Sequence, residues 1–320
     1  MSSQPDLGAL FGATEAKTFL GLEACDDLQS IEASSAFIGA PCATPYGSVG
    51  AYARNGPASL RTAISALTAN IDRHNFDLGG PTFPDGTKRA VDCGDLPWSE
   101  TDFSENRQTI RHTVSTVVAR GVVPIVIGGD DSIPIPMIDA MEDTGKTYTI
   151  LQIDAHIDWR ESHMGETHGL SSTMRRASEM DHIGKIIQVG ARGIGSGHSS
   201  DFEDAVAWGA KFFTGRDVAR HGLQPAIDEI EPGSNVILCI DIDAMDPAIA
   251  PNTIGRAPGG LGYYQVLSLI QAAADRGNIA AVDFVEIMPE VDIDGIGGLT
   301  VSRLVAATMG IIARQSSENR

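Results

Sequence analysis

Basic residues are scarce in this 320-residue chain: 23 Lys and Arg stand against 42 Asp and Glu, a formal charge of −19 with His neutral. A nucleic-acid binder needs a basic face to displace phosphate counterions, and an anionic membrane surface attracts the same sign, so neither partner is expected. Cysteine is sparse too. Cys25, Cys42, Cys93 and Cys239 lie far apart with no CxxC spacing, which argues against a disulfide framework or structural zinc and for reduced, mostly buried thiols. No run of ~18 apolar residues offers a bilayer span. The opening MSSQPDLGALFGATEAK lacks the basic and apolar regions of a secretory signal, so a cytoplasmic location is expected. Low-complexity tracts, linkers and repeats are missing as well. What suits the acidic balance is a cationic partner, either a metal ion or a small substrate.

What is present is a folded composition, 42% hydrophobic and 20% charged, in which strand and helix patterns alternate. Short β-branched runs occur at Ser35–Gly39, Lys88–Asp92, Val122–Ile127, Tyr148–Ile153, Lys185–Val189, Lys211–Phe213, Asn235–Ile240 and Ala280–Val285. Amphipathic stretches with helical spacing include Pro57–Ile71, Ser104–Arg120, Tyr264–Arg276 and Thr300–Arg314. This alternation predicts an α/β fold with a mainly parallel sheet of about eight strands, covered by helices on both faces. Residues 1–33 read as an N-terminal arm and 34–320 as one domain.

Ligands of such sheets bind beyond the carboxyl ends of the strands. Four strands end in acidic residues: GGDDS at 128–132, DAHID at 154–158, DID at 241–243, and Glu286 after Val285. Asp154, His156 and Asp158 occupy alternate positions, so two carboxylates and an imidazole converge on one side, and Asp241 and Asp243 do the same. Hard oxygen donors with one imidazole suit Mn²⁺, Ni²⁺ or Co²⁺ better than a structural zinc. A lone DxD after a strand is often only a turn or a helix cap. Its occurrence beside DxHxD in one sheet favours a metal site.

These segments, with DIDAMDPAIAP at 241–251, resemble the signature blocks of the ureohydrolase family, which includes arginase, agmatinase and guanidinobutyrase. The resemblance runs from about Ser35 to the C-terminal helix. It implies a three-layer, arginase-like α/β/α fold with an eight-stranded sheet, two divalent metal ions (Mn first, Ni or Co next), and attack of a metal-bridged hydroxide on a guanidino compound to release urea and an amine. Asp154, His156, Asp158, Asp241 and Asp243 match five of six family ligands. At the sixth position Asp131 replaces the family's histidine and makes the centre one unit more negative.

The resemblance further implies that Asp130 orients a ligand or its loop, that His168 in GETHG carries protons to the leaving amine, and that Glu286 pairs with the substrate guanidinium. His163, five residues before His168, reads either as a neighbour touching substrate or as a solvated loop residue. Expected substrates are agmatine, guanidinobutyrate, guanidine and alkylated guanidines or biguanides. The expected assembly is a trimer or hexamer, alone or with a related subunit. Two other readings stand beside this one: a catalytically impaired or assisting subunit, motivated by Asp131, and a single-zinc deacetylase with an arginase-like fold.

Overall fold

The computed structural model describes residues 7–11, 17–195 and 197–318. One sheet contains nine strands: β1 (Glu23–Ala24), β2 (Ser35–Ala40), β3 (Val91–Asp95), β4 (Val123–Gly128), β5 (Tyr148–Ile153), β6 (Ile183–Val189), β7 (Lys211–Phe213), β8 (Asn235–Asp241) and β9 (Asn278–Val285). Their spatial order is β1-β3-β2-β4-β9-β8-β5-β6-β7, and every pair is parallel. All eight expected strands form, with the largest shift at the start of β3. The ninth, β1, corrects the strand count; its two exposed residues are too short to carry a period.

The central strands are apolar on both sides because each face is covered. On β4, β5, β8 and β9, residues Ile127, Ile153, Ile240 and Phe284 join the first core. That core is closed by helices Gly56–Ile64, Tyr263–Arg276 and Ile296–Glu318. Their alternates Val126, Ile150, Cys239 and Val285 point the other way. They meet helices Phe103–Ala119, Pro134–Ala140, Thr173–Ala177 and Ser199–Trp208. A period of two along each strand thus yields three layers.

Two expected helices differ in extent. The stretch 57–71 is α-helical only through Ile64 and tightens into a 3₁₀ turn over Ser65–Asn70, whereas the last helix begins earlier, at Ile296. Its segment Ile296–Gln315 is long and apolar enough to cross a membrane by composition, which the sequence reading missed, but 83% of its apolar window is buried inside the protein. All four cysteines are free; Cys42 and Cys239 are buried, and Cys25 and Cys93 are half-buried.

Of the expected arm, residues 1–6 and 12–16 lie outside the described residues, while 19–24 are built into the fold. Phe19 is buried, stacks on Phe37 with ring centroids 5.0 Å apart, and donates its N–H to Asp92 Oδ2 at 2.7 Å. The same carboxylate takes a bidentate pair from Arg61, with Nε at 2.8 Å and Nη2 at 2.9 Å. Asp92 therefore ties the chain start, the first long helix and the sheet edge together. Arg61 Nη1 also donates to Asp95 Oδ1 at 2.5 Å, so Asp92→Ala should leave this largely buried cation with one partly exposed partner and lower unfolding free energy by about 1.5–3 kcal/mol. Denaturant titration measures this; a loss below about 1 kcal/mol would contradict the assignment.

Candidate metal centre

Strands β4, β9, β8 and β5 are immediate neighbours, with Phe284 level with Ile127 and Ile240 level with both Phe284 and Ile153. Their acidic ends consequently meet at the middle of one sheet edge. After β4 the backbone turns at Gly128-Gly129, where a Cβ on Gly129 would lie 2.5 Å from the Pro41 carbonyl oxygen. This close approach requires glycine and directs Asp130 and Asp131 to different jobs. Asp130 accepts the N–H groups of Ala43 at 3.3 Å and Ser132 at 3.2 Å and the Ser132 hydroxyl, so its carboxylate holds the loop. Asp131 faces the acidic cluster, and its Oδ2 is buried without a hydrogen bond.

Two groups of potential ligand atoms form there, each with its atoms within 4.8 Å of one another: Asp154, His156 and Asp243 in one, and Asp131, Asp154 and Asp241 in the other. Asp154 belongs to both. Asp131, the expected departure from the family pattern, reaches the second group despite being shorter than histidine. Asp158, at positive φ of 48°, lies in neither group, although Gln152 Nε2 links its Oδ2 at 2.7 Å to Asp154 Oδ2 at 2.8 Å. The Asp154, Asp158, Asp131, Asp241 and Asp243 side chains are buried, and His156 is partly exposed.

The electrostatics follow from this crowding. Burial, then repulsion from neighbouring carboxylates, holds Asp131, Asp158 and Asp241 well above the usual range. Burial opposes the charge of Asp154 too, but hydrogen bonding and attraction to His156 outweigh it and keep this carboxyl low. His156 is pushed up to about 12 by hydrogen bonds to Asp154 and Asp243, the latter at 3.0 Å from Nδ1. Hard, anionic oxygens packed around one imidazole fit divalent cations, whose charge would offset the mutual repulsion. The orphaned Asp131 oxygen fits the same ligand chemistry.

Glu286 follows β9 at a positive φ of 64° and is 3% exposed. Its Oε1 accepts the Asp131 N–H at 3.0 Å and the Tyr52 hydroxyl. His168 and His163 belong to neither ligand group. His168 lines a cavity of about 350 Å³ with Arg107, Arg111, Asp139 and Arg176, and burial, then the charges of Arg107 and Arg176, lowers its basicity. His163 packs edge-on to Tyr46 and pairs with Arg160 at 2.5 Å.

Sequence reasoning missed the supports of this site. Gln188 donates to Gln152 Oε1 and accepts Trp159 Nε1 at 2.7 Å, completing a buried chain from Trp159 to the Asp154 and Asp158 carboxylates. Arg192 grips the loop after β8, donating to the carbonyls of Asp243 at 2.7 Å and Ala257 at 2.6 Å. A glutamine at an interior position of each of two apolar strands was the one available signal.

The description "Arginase family" attaches to the family model that matches residues 33–310. This chain belongs to the arginase family. It is 26% identical over 297 residues to the guanidinobutyrase of Pseudomonas aeruginosa, covering 90% of each chain. It is 27% identical over 276 residues to the mitochondrial agmatinase of Gallus gallus, covering 85% of this chain and 78% of that one. The proclavaminate amidino hydrolase structure from Streptomyces clavuligerus aligns at 25% identity with a TM-score of 0.78, covering 95% of this chain and 99% of that one.

Two outcomes are expected of this arginase-family site. Gln152→Leu should keep the fold yet weaken metal binding about 10–100-fold, as loss of a group orienting the carboxylate common to both ligand groups would; calorimetric titration with Mn²⁺ checks it, and unchanged affinity would refute the role. The second concerns pH. Burial raises Asp283 from 3.8 to about 7 and Glu286 from 4.5 to about 8, so their stabilising contribution is full below the unfolded values and lost as pH rises through the folded ones. Metal-free protein should thus melt lower at about pH 8.5 than at about pH 5, with MnCl₂ recovering more at the higher pH. Equal melting temperatures would contradict this.

Proposed function

We propose that the chain is a divalent-metal-dependent amidinohydrolase that cleaves a small guanidino compound to urea and an amine. The observation that carries this reading is the pair of three-ligand groups sharing Asp154, with Glu286 joined to one of them through the Asp131 N–H. Asp131, Asp154, His156, Asp241 and Asp243 would hold the ions, with Asp158 beside them. Divalent ions there would supply Lewis acidity and lower the pKa of water toward neutrality. Mn²⁺ suits the carboxylate-rich set, and Ni²⁺ and Co²⁺ suit its imidazole.

The chain's own groups do the remainder. Glu286 offers a carboxylate to the planar guanidinium, whose positive charge matches it. Gln152 and the His156 N–H, at 2.6 Å from Asp154 Oδ1, keep the shared carboxylate oriented. Asp130 holds the loop that presents Asp131. His168 belongs to neither ligand group and is left as the group to carry a proton to the departing amine. Participation of Asp131 in a ligand group favours an enzyme over an assisting subunit, and the second carboxylate pair, Asp241 and Asp243, exceeds what a single-zinc deacetylase needs.

The test is a urea-release screen over guanidine, methylguanidine, agmatine, guanidinobutyrate and a biguanide, each with Mn²⁺, Ni²⁺ and Co²⁺ separately. At least one combination should yield urea and the matching amine. Asp131→His should raise activity with Ni²⁺ relative to Mn²⁺, because imidazole replaces a hard oxygen. Metal-loaded protein that releases no urea from any of them would overturn the hydrolase reading.

A further inference from the structure

Neither the sequence motifs nor the ligand groups account for Tyr52, whose hydroxyl donates to Glu286 Oε1. We propose that Tyr52 is a positioning residue for the substrate-binding carboxylate: with the Asp131 N–H it saturates Oε1 and presents Oε2 as the acceptor for a guanidinium. This rests on the hydrolase reading above.

Three observations support it. The first is the division of labour within Glu286. Both donors fall on Oε1, and Oε2 accepts no hydrogen bond among the described residues. A carboxylate oxygen has two lone pairs in its plane, so two donors occupy Oε1 and fix the plane in which Oε2 points.

The second is that Glu286 is aimed from its backbone. Its positive φ and its N–H bond to Gly129 O at 2.8 Å hold the residue against the β4 loop. Burial at 3% exposure leaves little room for another orientation. Repulsion from the nearby Asp130 and Asp243 would turn an untethered carboxylate away. The phenol opposes that motion.

The third is that Tyr52 belongs to a segment seated on the strand ends. A Cβ on Gly56 would lie 2.7 Å from Gly128 O and 2.9 Å from Ile287 O, so the start of the helix Gly56–Ile64 approaches both backbones closely. Asn55 Nδ2 also donates to Glu290 Oε1 at 2.6 Å. The loop bearing Tyr52 is thereby tied to the segments bearing Asp131 and Glu286, and its hydroxyl is delivered rather than left to find its place. A preorganised donor acts mainly on binding of the charged group.

The experiment uses Tyr52→Phe, which keeps the ring and removes the hydroxyl, in metal-loaded full-length protein. A hydrogen bond to a charged group is worth about 1.5–3 kcal/mol, which corresponds to roughly 10–100-fold. The expected result is a KM at least about tenfold higher on the best substrate of the screen, kcat within about threefold, metal content unchanged and a melting temperature lowered by no more than a few degrees, as the loss of one hydrogen bond implies. Calorimetry with millimolar guanidinium chloride should show the same weakening of Kd. KM and Kd within about twofold of wild type would overturn the proposal, and so would loss of metal in parallel with KM, which marks a structural role. Wild-type protein that binds guanidinium but releases no urea would overturn the hydrolase reading while the Tyr52→Phe change in Kd still decides this one. Wild-type protein that neither binds nor hydrolyses would overturn both.

Discussion

Mutual repulsion among buried carboxylates sets the terms for this molecule. Asp131, Asp154, Asp158, Asp241, Asp243 and Glu286 are all buried at the ends of four adjacent strands. Removing even one charge from water is expensive unless a counter-charge or hydrogen bonds replace the lost solvation. In the chain itself, His156 is the one cation within the two ligand groups. The cluster therefore fits a cation, whose charge would offset the repulsion that the fold otherwise has to hold.

Much of the surrounding structure serves to aim these groups. The amide of Gln152 bridges two carboxylates, Gln188 and Trp159 fix that amide, and Arg192 clamps the loop after β8 by its carbonyls. None of these supports is an acid or base in the chemistry. Their common property is a fixed donor pointing at an oxygen that would otherwise move, which is how outer groups set ligand geometry. Positive φ at Asp158 and Glu286 is part of the same arrangement: two non-glycine residues held in an uncommon backbone region beside the cluster.

Legibility from the sequence divided along physical lines. The parallel sheet and its eight longer strands were readable because continuous apolar runs alternating with amphipathic stretches leave few other architectures. The short edge strand β1 was not, since two exposed residues have no period. Helices such as Ser199–Trp208 and Thr173–Ala177 escaped because they are short and their burial is decided by what they meet. Acidic candidates were readable because DxHxD and DxD follow strands directly, and the structure brings Asp131, Asp154, His156, Asp241 and Asp243 together. His163 and His168 lie in the long loop after β5, where no strand end sets their direction, and belong to neither ligand group.

By itself, then, the sequence determined the layer architecture, the sheet edge that carries the chemistry and the charge of the cluster, because periodicity and residue type act locally along the chain. Tertiary structure decided which carboxylates share a ligand group, which one is spent on its own loop, and which distant residues hold them. Asp130 and Asp131 are neighbours of identical chemistry, yet one is saturated by Ala43 and Ser132 while the other faces Asp154 and Asp241. Tyr52 meets Glu286 across 234 positions of chain. Such pairings depend on strand order and loop packing, and no local pattern encodes them.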